Sequence, residues 1–307
     1  MKDPEKERLS QHQSEEKDWL KWGPYLSERQ WGTVREDYSA NGDAWNYFPH
    51  DHARSRAFRW GEDGIAGISD RYSNMCFSIA LWNGQDDILK ERLFGLTGPQ
   101  GNHGEDVKEL YYYLENTPSH SYMKYLYKYS QKKYPYDQLI EENKKRSRED
   151  LEFELLDSGI FDNNTYFDVS TEYAKGDETD ILIKITITNR NSKPAPISLL
   201  PQMIMRNHWT FKEMTKKPII TKKGSKTNTY VHIDHPYVGQ YNLYFQKADK
   251  LLFTENETNR EKVYKEKNQH PFKKDLFHTA VCTNDFELAS KNNSGTKFAP
   301  LYQQILK

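Results

Sequence analysis

The 307-residue chain is poor in cysteine, with only Cys76 and Cys282, each in an apolar, strand-like run. Buried free thiols are the expectation, which speaks against a disulfide framework and fits a reducing cytoplasm. Long apolar runs are also missing: none approaches the ~20 residues that a membrane helix needs. The N-terminal MKDPEKERLSQHQSEEKDW lacks the apolar centre of a secretory signal. No membrane association is therefore expected, and the Asn-x-Ser/Thr triplets at Asn163, Asn256 and Asn292 are expected to be chance matches. Net charge is the third scarcity. Charged residues make up 29% of the chain yet sum to -1, which gives no general reason for nucleic acid or an anionic membrane as partner. The short basic runs Lys216-Lys217 and Lys222-Lys223 read as solvated loops.

Several chemical signatures are absent as well. No nucleotide fingerprint occurs, and the loop from Gly101 to Asp106 is too short to cradle a phosphate. Ser27, Ser39 and Ser55 lack a nucleophile-elbow setting. His50-Asp51-His52, with His103, Glu105 and Asp106 in a second loop, offers metal-ligand types, but no third histidine follows at hydrolase spacing. Histidines paired with aspartates account for the pattern equally well, so neither metal nor other cofactor is expected.

What the chain does have is aromatic side chains. An apolar fraction of 36% is lean, and 21 tyrosines and 14 phenylalanines compensate, because each aromatic buries a large area. Four of the seven tryptophans (Trp22, Trp31, Trp45 and Trp60) fall in residues 22–60, with five arginines and two histidines between them. This stretch has neither a helical period nor a long alternation. Irregular backbone of this composition is costly to order and lines sites more often than it merely connects elements.

Around it, residues 3–21 read as a charged helix that docks only at its end. Strands are expected over 64–69, 75–82 and 90–96, then over 107–114 and 122–129. In the last of these, Tyr125, Tyr127 and Tyr129 share one face. Pro135 opens a helix over about 136–150. Further strands are expected over 166–174, 180–189, 195–206, 229–235, 240–246, 250–254 and 277–283, and the chain ends in what reads as a strand. Many short strands and few helices predict a mostly β protein, a large antiparallel β-sandwich with a few peripheral helices. The length allows one large or two medium domains.

The 22–60 stretch supports two readings. In one it binds sugar: Tyr25, Arg29, Gln30, Trp31, Arg35, Glu36, Asp37 and Trp45 combine flat aromatic faces for stacking with planar groups for hydroxyls. Glycoside hydrolysis would need two carboxyls about 5–10 Å apart, and among Glu28, Glu36, Asp37, Asp43 and Asp51 nothing singles out a pair. In the other reading the tryptophans plug the core and the charges pair with one another.

The runs WGPYLSERQWGTVREDYS (22–39) and WNYFPHDHARSRAFRWGEDGIAGISD (45–70) closely resemble the start of bacterial glucosidase-like proteins of glycoside hydrolase family 63. That is the family of processing α-glucosidase I, related to mannosylglycerate hydrolases. LWNGQDDILKERLFGLTGPQGNHGEDVKE (81–109), residues 119–130 and LLFTENETN (251–259) extend the likeness over nearly the whole chain. The resemblance implies a two-part inverting enzyme, with a galactose-mutarotase-like β-supersandwich ahead of an (α/α)6 barrel that carries the acid and base. This chain corresponds to the sandwich. It divides into a helix (1–21), an irregular segment at the barrel interface (22–62) and the sandwich itself (63–307). The implied partners are a carbohydrate, an α-glucoside or related glycoside, and the missing (α/α)6 catalytic domain. No catalytic residue carries over. The eight candidates from Tyr25 to Trp45 would bind substrate at the edge of the pocket, and the face meeting the barrel would expose an apolar, aromatic patch.

Overall fold

A computed structural model describes residues 3–26, 49–59, 64–96, 98–101, 103, 106–211, 216–225 and 228–307. The chain is a mostly β sandwich with antiparallel sheets and short helices. In order, the elements are α1 (Pro4–Gln13), β1 (Trp22–Tyr25), α2 (His50–Ala53), β2 (Ile65–Asp70), β3 (Met75–Trp82), β4 (Gly95–Leu96), β5 (Asp106–Val107), β6 (Tyr111–Asn116), β7 (Tyr122–Ser130) and α3 (Tyr136–Lys144). There follow β8 (Tyr166–Asp177), β9 (Asp180–Asn189), β10 (Ala195–Met205), β11 (Ile219–Gly224), β12 (Thr229–His235), β13 (Gly239–Tyr244) and β14 (Lys250–Thr254). The chain closes with α4 (Arg260–Tyr264), α5 (Leu276–Thr283), α6 (Glu287–Lys291), β15 (Ser294–Gly295) and β16 (Lys297–Leu306).

One layer is a six-stranded sheet in the order β1-β2-β3-β10-β16-β14. Facing it are two four-stranded sheets, β6-β7-β8-β9 and β13-β12-β11-β15. The main core lies between the layers: Phe77, Ile79 and Met203 from the six-stranded sheet meet Tyr125, Tyr173 and Ile233 from the other two. The opposite face of the six-stranded sheet is covered too. Ala80, Leu200 and Leu301 pack there on Phe277, Ala280 and Val281 of α5. A sheet buried on both faces explains why β3, MCFSIALW, reads as an unbroken apolar run rather than an alternation. The facing sheets do alternate. In β7, Tyr125, Tyr127 and Tyr129 point inward, at most 1% exposed, as the tyrosine period requires. Gly64 opens β2 at φ 118°, where a Cβ would lie 2.7 Å from that of Ser78, so only glycine fits.

Three expectations are corrected. Residues 277–283 form helix α5, not a strand: Phe277, Ala280 and Val281 fall on one helical face against the sheet, and Asn284 ends the helix at φ 55°. Residues 90–96 are a strand only at Gly95–Leu96, with a single bridge from Lys90 to Leu81. Lys90, Glu91 and Arg92 are all buried, so alternation is lost there. Cys282 accordingly lies on a helix, while Cys76 lies in β3, and both are free thiols. The terminal strand is longer than its last residues announced. Pro300 disguises it, since proline normally marks a strand edge. Pro201 and Pro300 both fall in one gap of the β10–β16 ladder, between the pairs Leu199–Tyr302 and Met203–Phe298. Two missing donors thus share a single interruption.

The N-terminal helix corrects a further expectation: it ends at Gln13 rather than near residue 21, and it docks through its first turn and not only at its end. Glu5 accepts from Ser119 N at 2.6 Å and from the hydroxyls of Ser119 and Ser121. Trp19 is 6% exposed, and Lys175 donates to Trp19 O and Trp22 O at 2.6 and 2.7 Å. Among the described residues no helix is long and apolar enough to cross a membrane.

Candidate functional site

Of the eight residues expected to bind sugar, Tyr25 lies among those described. It ends β1, donates to Glu115 O at 3.0 Å, and packs on Tyr113 and Tyr125 with ring centroids 4.7 and 5.9 Å away. Arg29, Gln30, Trp31, Arg35, Glu36, Asp37 and Trp45 lie outside the described residues. Trp22 is a core plug that donates to the Tyr241 hydroxyl at 3.2 Å. Beside Tyr25, Tyr112, Tyr113 and Leu114 of β6 are 42–48% exposed and form an apolar, aromatic strip.

The built site is on α2. A cleft of about 680 Å³ opens between α2, residues 87–88 and the start of α3. Its wall is aromatic. The His50 ring lies edge-on to Phe94 at 5.0 Å and 5.4 Å from Tyr136, while Tyr134 and Tyr136 are 4.5 Å apart. Pro135 brings this pair together by placing the two tyrosines on either side of the helix start. Behind the wall sits a buried ion pair. Lys90 Nζ is 2.7 Å from Glu109 Oε1, and both side chains are 1% exposed. The ammonium also lies 3.8 Å from the Tyr134 ring centre and 4.9 Å from that of Tyr136. Glu109 accepts in addition from Tyr127 Oη at 2.8 Å and Phe94 N at 3.0 Å, so both its oxygens are engaged.

The rim is charged. Asp51 pairs with Arg54 at 2.5 Å, and Asp87 pairs with Lys133. Burial pushes the Asp51 carboxyl up, but Arg54 and Lys262 outweigh it and hold it below its ordinary range. Asp86 lies beneath the wall at 3% exposure and accepts from Tyr136 Oη at 3.1 Å; burial raises its pKa. Tyr136 stands between Asp86 and the cleft, so this carboxyl positions the ring. Burial, together with Arg92, Lys90 and Arg54, holds His50 well below the ordinary histidine range.

Segment 53–59 is clamped from behind by Glu255-Asn256-Glu257-Thr258-Asn259. Asn256, fully buried, accepts from Phe58 N at 2.7 Å and donates to Phe58 O and Met205 O at 2.8 and 2.7 Å. Thr258 accepts from Ala57 N at 3.0 Å, and Lys274 donates to Ala53 O at 3.0 Å. Asn256 is thus fully committed in the fold, so its triplet is not an accessible glycosylation acceptor. Sequence reasoning did not assign this clamp. Its signal was the polar run ENETN directly after the apolar strand LLFT. The aromatic wall was likewise missed, although Tyr134-Pro135-Tyr136 marked it.

Among the described residues the histidines and carboxylates weighed as metal ligands do not converge, and Glu105 lies outside the described residues. His50 is packed on rings, and His103 donates to Asp150 O at 2.8 Å. Asp106 instead joins Glu152 and Glu154, with oxygens within 4.8 Å of one another. The buried Lys108 ammonium contacts all three, at 3.2 Å from Asp106 and 2.7 Å from Glu154. That cluster already holds its cation.

No family model matches the chain. It is 45% identical, over 331 aligned positions, to the uncharacterized protein YMR196W of Saccharomyces cerevisiae. The match takes in 97% of this chain but 30% of the yeast protein, so the chain spans less than a third of that relative's length.

Proposed function

We propose that this chain is the non-catalytic N-terminal sandwich of an inverting glycoside hydrolase of the family 63 type, cytoplasmic and acting on an α-glucoside or related small glycoside. The observation that carries the reading is the α2 cleft, in which the part-exposed rings of His50 and Tyr136 lie over the buried Phe94 and Tyr134 and offer a stacking surface, rimmed by charged groups for the hydroxyls of a sugar. Helix α2, which walls it, belongs to the stretch 45–70, one of those that resemble the family. The general acid and base belong in an (α/α)6 barrel outside this chain, in keeping with a relative more than three times as long as the matched part. The carboxylates at the cleft favour that division. Asp51 and Asp87 are each tied to a cation and Asp86 lies under Tyr136, whereas inversion needs one carboxyl on either side of the scissile bond.

A second reading, a stand-alone carbohydrate-binding or interaction module, is favoured by the same wall, whose aromatic contacts are complete within this chain. The test is incubation of the chain with aryl α-glucosides and α-linked disaccharides. No turnover is expected. Turnover abolished by Asp51→Asn, Asp86→Asn or Asp87→Asn would place the chemistry here and overturn the proposal.

A further inference from the structure

The two four-stranded sheets do not join. Among the described residues β9 pairs on one side, with β8, and β13 pairs on one side, with β12. Both lie over the six-stranded sheet. Between them run two adjoining depressions of about 400 and 350 Å³ that share Phe77, Ile183, Leu243 and Tyr244. Phe77 and Met203 form the floor, Ile181 and Ile183 one wall, and Tyr241 and Leu243 the other.

This is not how a finished sheet edge is built. Edge strands are normally shortened, bulged or broken by proline. Here β9 is ten residues long and proline-free, and its inward row Ile181, Ile183, Ile185, Ile187 remains only half-buried. A compact apolar ligand would cover the floor but leave two rows of backbone N–H and C=O groups unpaired. An extended polypeptide satisfies both rows and sends alternate side chains to the floor. It would convert the two sheets into one of nine strands.

We propose that the cleft between β9 and β13 is a strand-acceptor site. Its occupant is an extended polypeptide segment of about six residues, the length of β13, with apolar side chains at alternate positions. The proposal stands apart from the glycoside reading.

The test uses two fluorescent peptides of about eight residues, one alternating valine with threonine and one of the same composition with the alternation permuted. Anisotropy should show saturable binding of the alternating peptide, at least about tenfold tighter than the permuted one. Amide exchange should slow along both β9 and β13. Ile183→Lys and Leu243→Lys should each weaken binding about tenfold or more. If either melts early, Ile183→Thr and Leu243→Thr, which keep strand propensity, make the same comparison. Equal binding of the two peptides, no binding, or protection of one strand alone overturns the proposal. So does a dimer of the free chain that Ile183→Lys dissolves, since a second copy would then be the occupant.

Discussion

Replacing Lys90 with methionine should be one of the more damaging single changes in this protein. The side chain lies 1% exposed between Glu109 and the rings of Tyr134 and Tyr136. Methionine keeps most of the volume but removes the charge. The Glu109 carboxylate would stay buried with only Phe94 N and Tyr127 Oη as donors. Removing one partner of a buried ion pair costs about 3–5 kcal/mol, because the remaining charge is uncompensated. With about 2.1 cal/mol/K of unfolding entropy per residue, 307 residues turn that loss into a melting temperature lower by roughly 5–8 °C. Glu109→Gln should cost less, as its amide can still accept from Phe94 N and the ammonium keeps its two rings. The double variant Lys90→Met with Glu109→Gln should recover at least about 1.5 kcal/mol of the summed single losses. Calorimetry of the three variants decides the matter. A loss below about 1 kcal/mol for Lys90→Met, or strict additivity in the double variant, would refute the idea that this pair supports the aromatic wall.

Three other outcomes are expected. His235 accepts from Tyr237 N and Val238 N, and burial lowers its pKa to about 4 from 6.5. The unfolded chain therefore binds more protons between those values, and stability should be lost as the pH is lowered from 6.5 to about 4, by roughly 3 kcal/mol; His235→Asn, which keeps an acceptor, should flatten that slope in acid melts. Asn256→Ala removes three buried hydrogen bonds to Phe58 and Met205 and should cost about 3 kcal/mol, with faster limited proteolysis within 50–59 as the specific sign. Glu5→Gln weakens the clasp on Ser119 and Ser121, so amide exchange in α1 should speed up about tenfold while the melting temperature stays within about 2 °C.

The sandwich was legible where one face of a strand meets the core and the other meets solvent. Alternation in β7 and β9 then reports geometry directly, and both strands lie within a residue of their expected bounds. Legibility failed where burial is two-sided or ionic. The apolar LFHTAVCT suits a buried strand or a short helix equally, and only its one-sided packing on the sheet decides for α5. At 90–92 the charged side chains turn inward, so polarity no longer marks solvent. The site was harder still, because it is assembled across the chain. His50, Phe94 and Tyr136 meet only after α2, β4 and α3 are folded together, and Asn256 fixes Phe58 from 198 residues away. No local period encodes such contacts. α2 lies within 22–60 and walls the cleft, but of the eight residues expected to bind sugar Tyr25 packs elsewhere, on Tyr113, and the other seven lie outside the described residues.

The most direct test of the glycoside site is a titration of the chain with α-glucosides, followed by NMR of the tyrosine rings. Saturable shifts are expected at Tyr134 and Tyr136, weak because one wall alone is present, with a loss of at least about tenfold in affinity in Tyr136→Ala but none in Tyr244→Ala. Binding that survives Tyr136→Ala unchanged, or shifts confined to other parts of the chain, would contradict it.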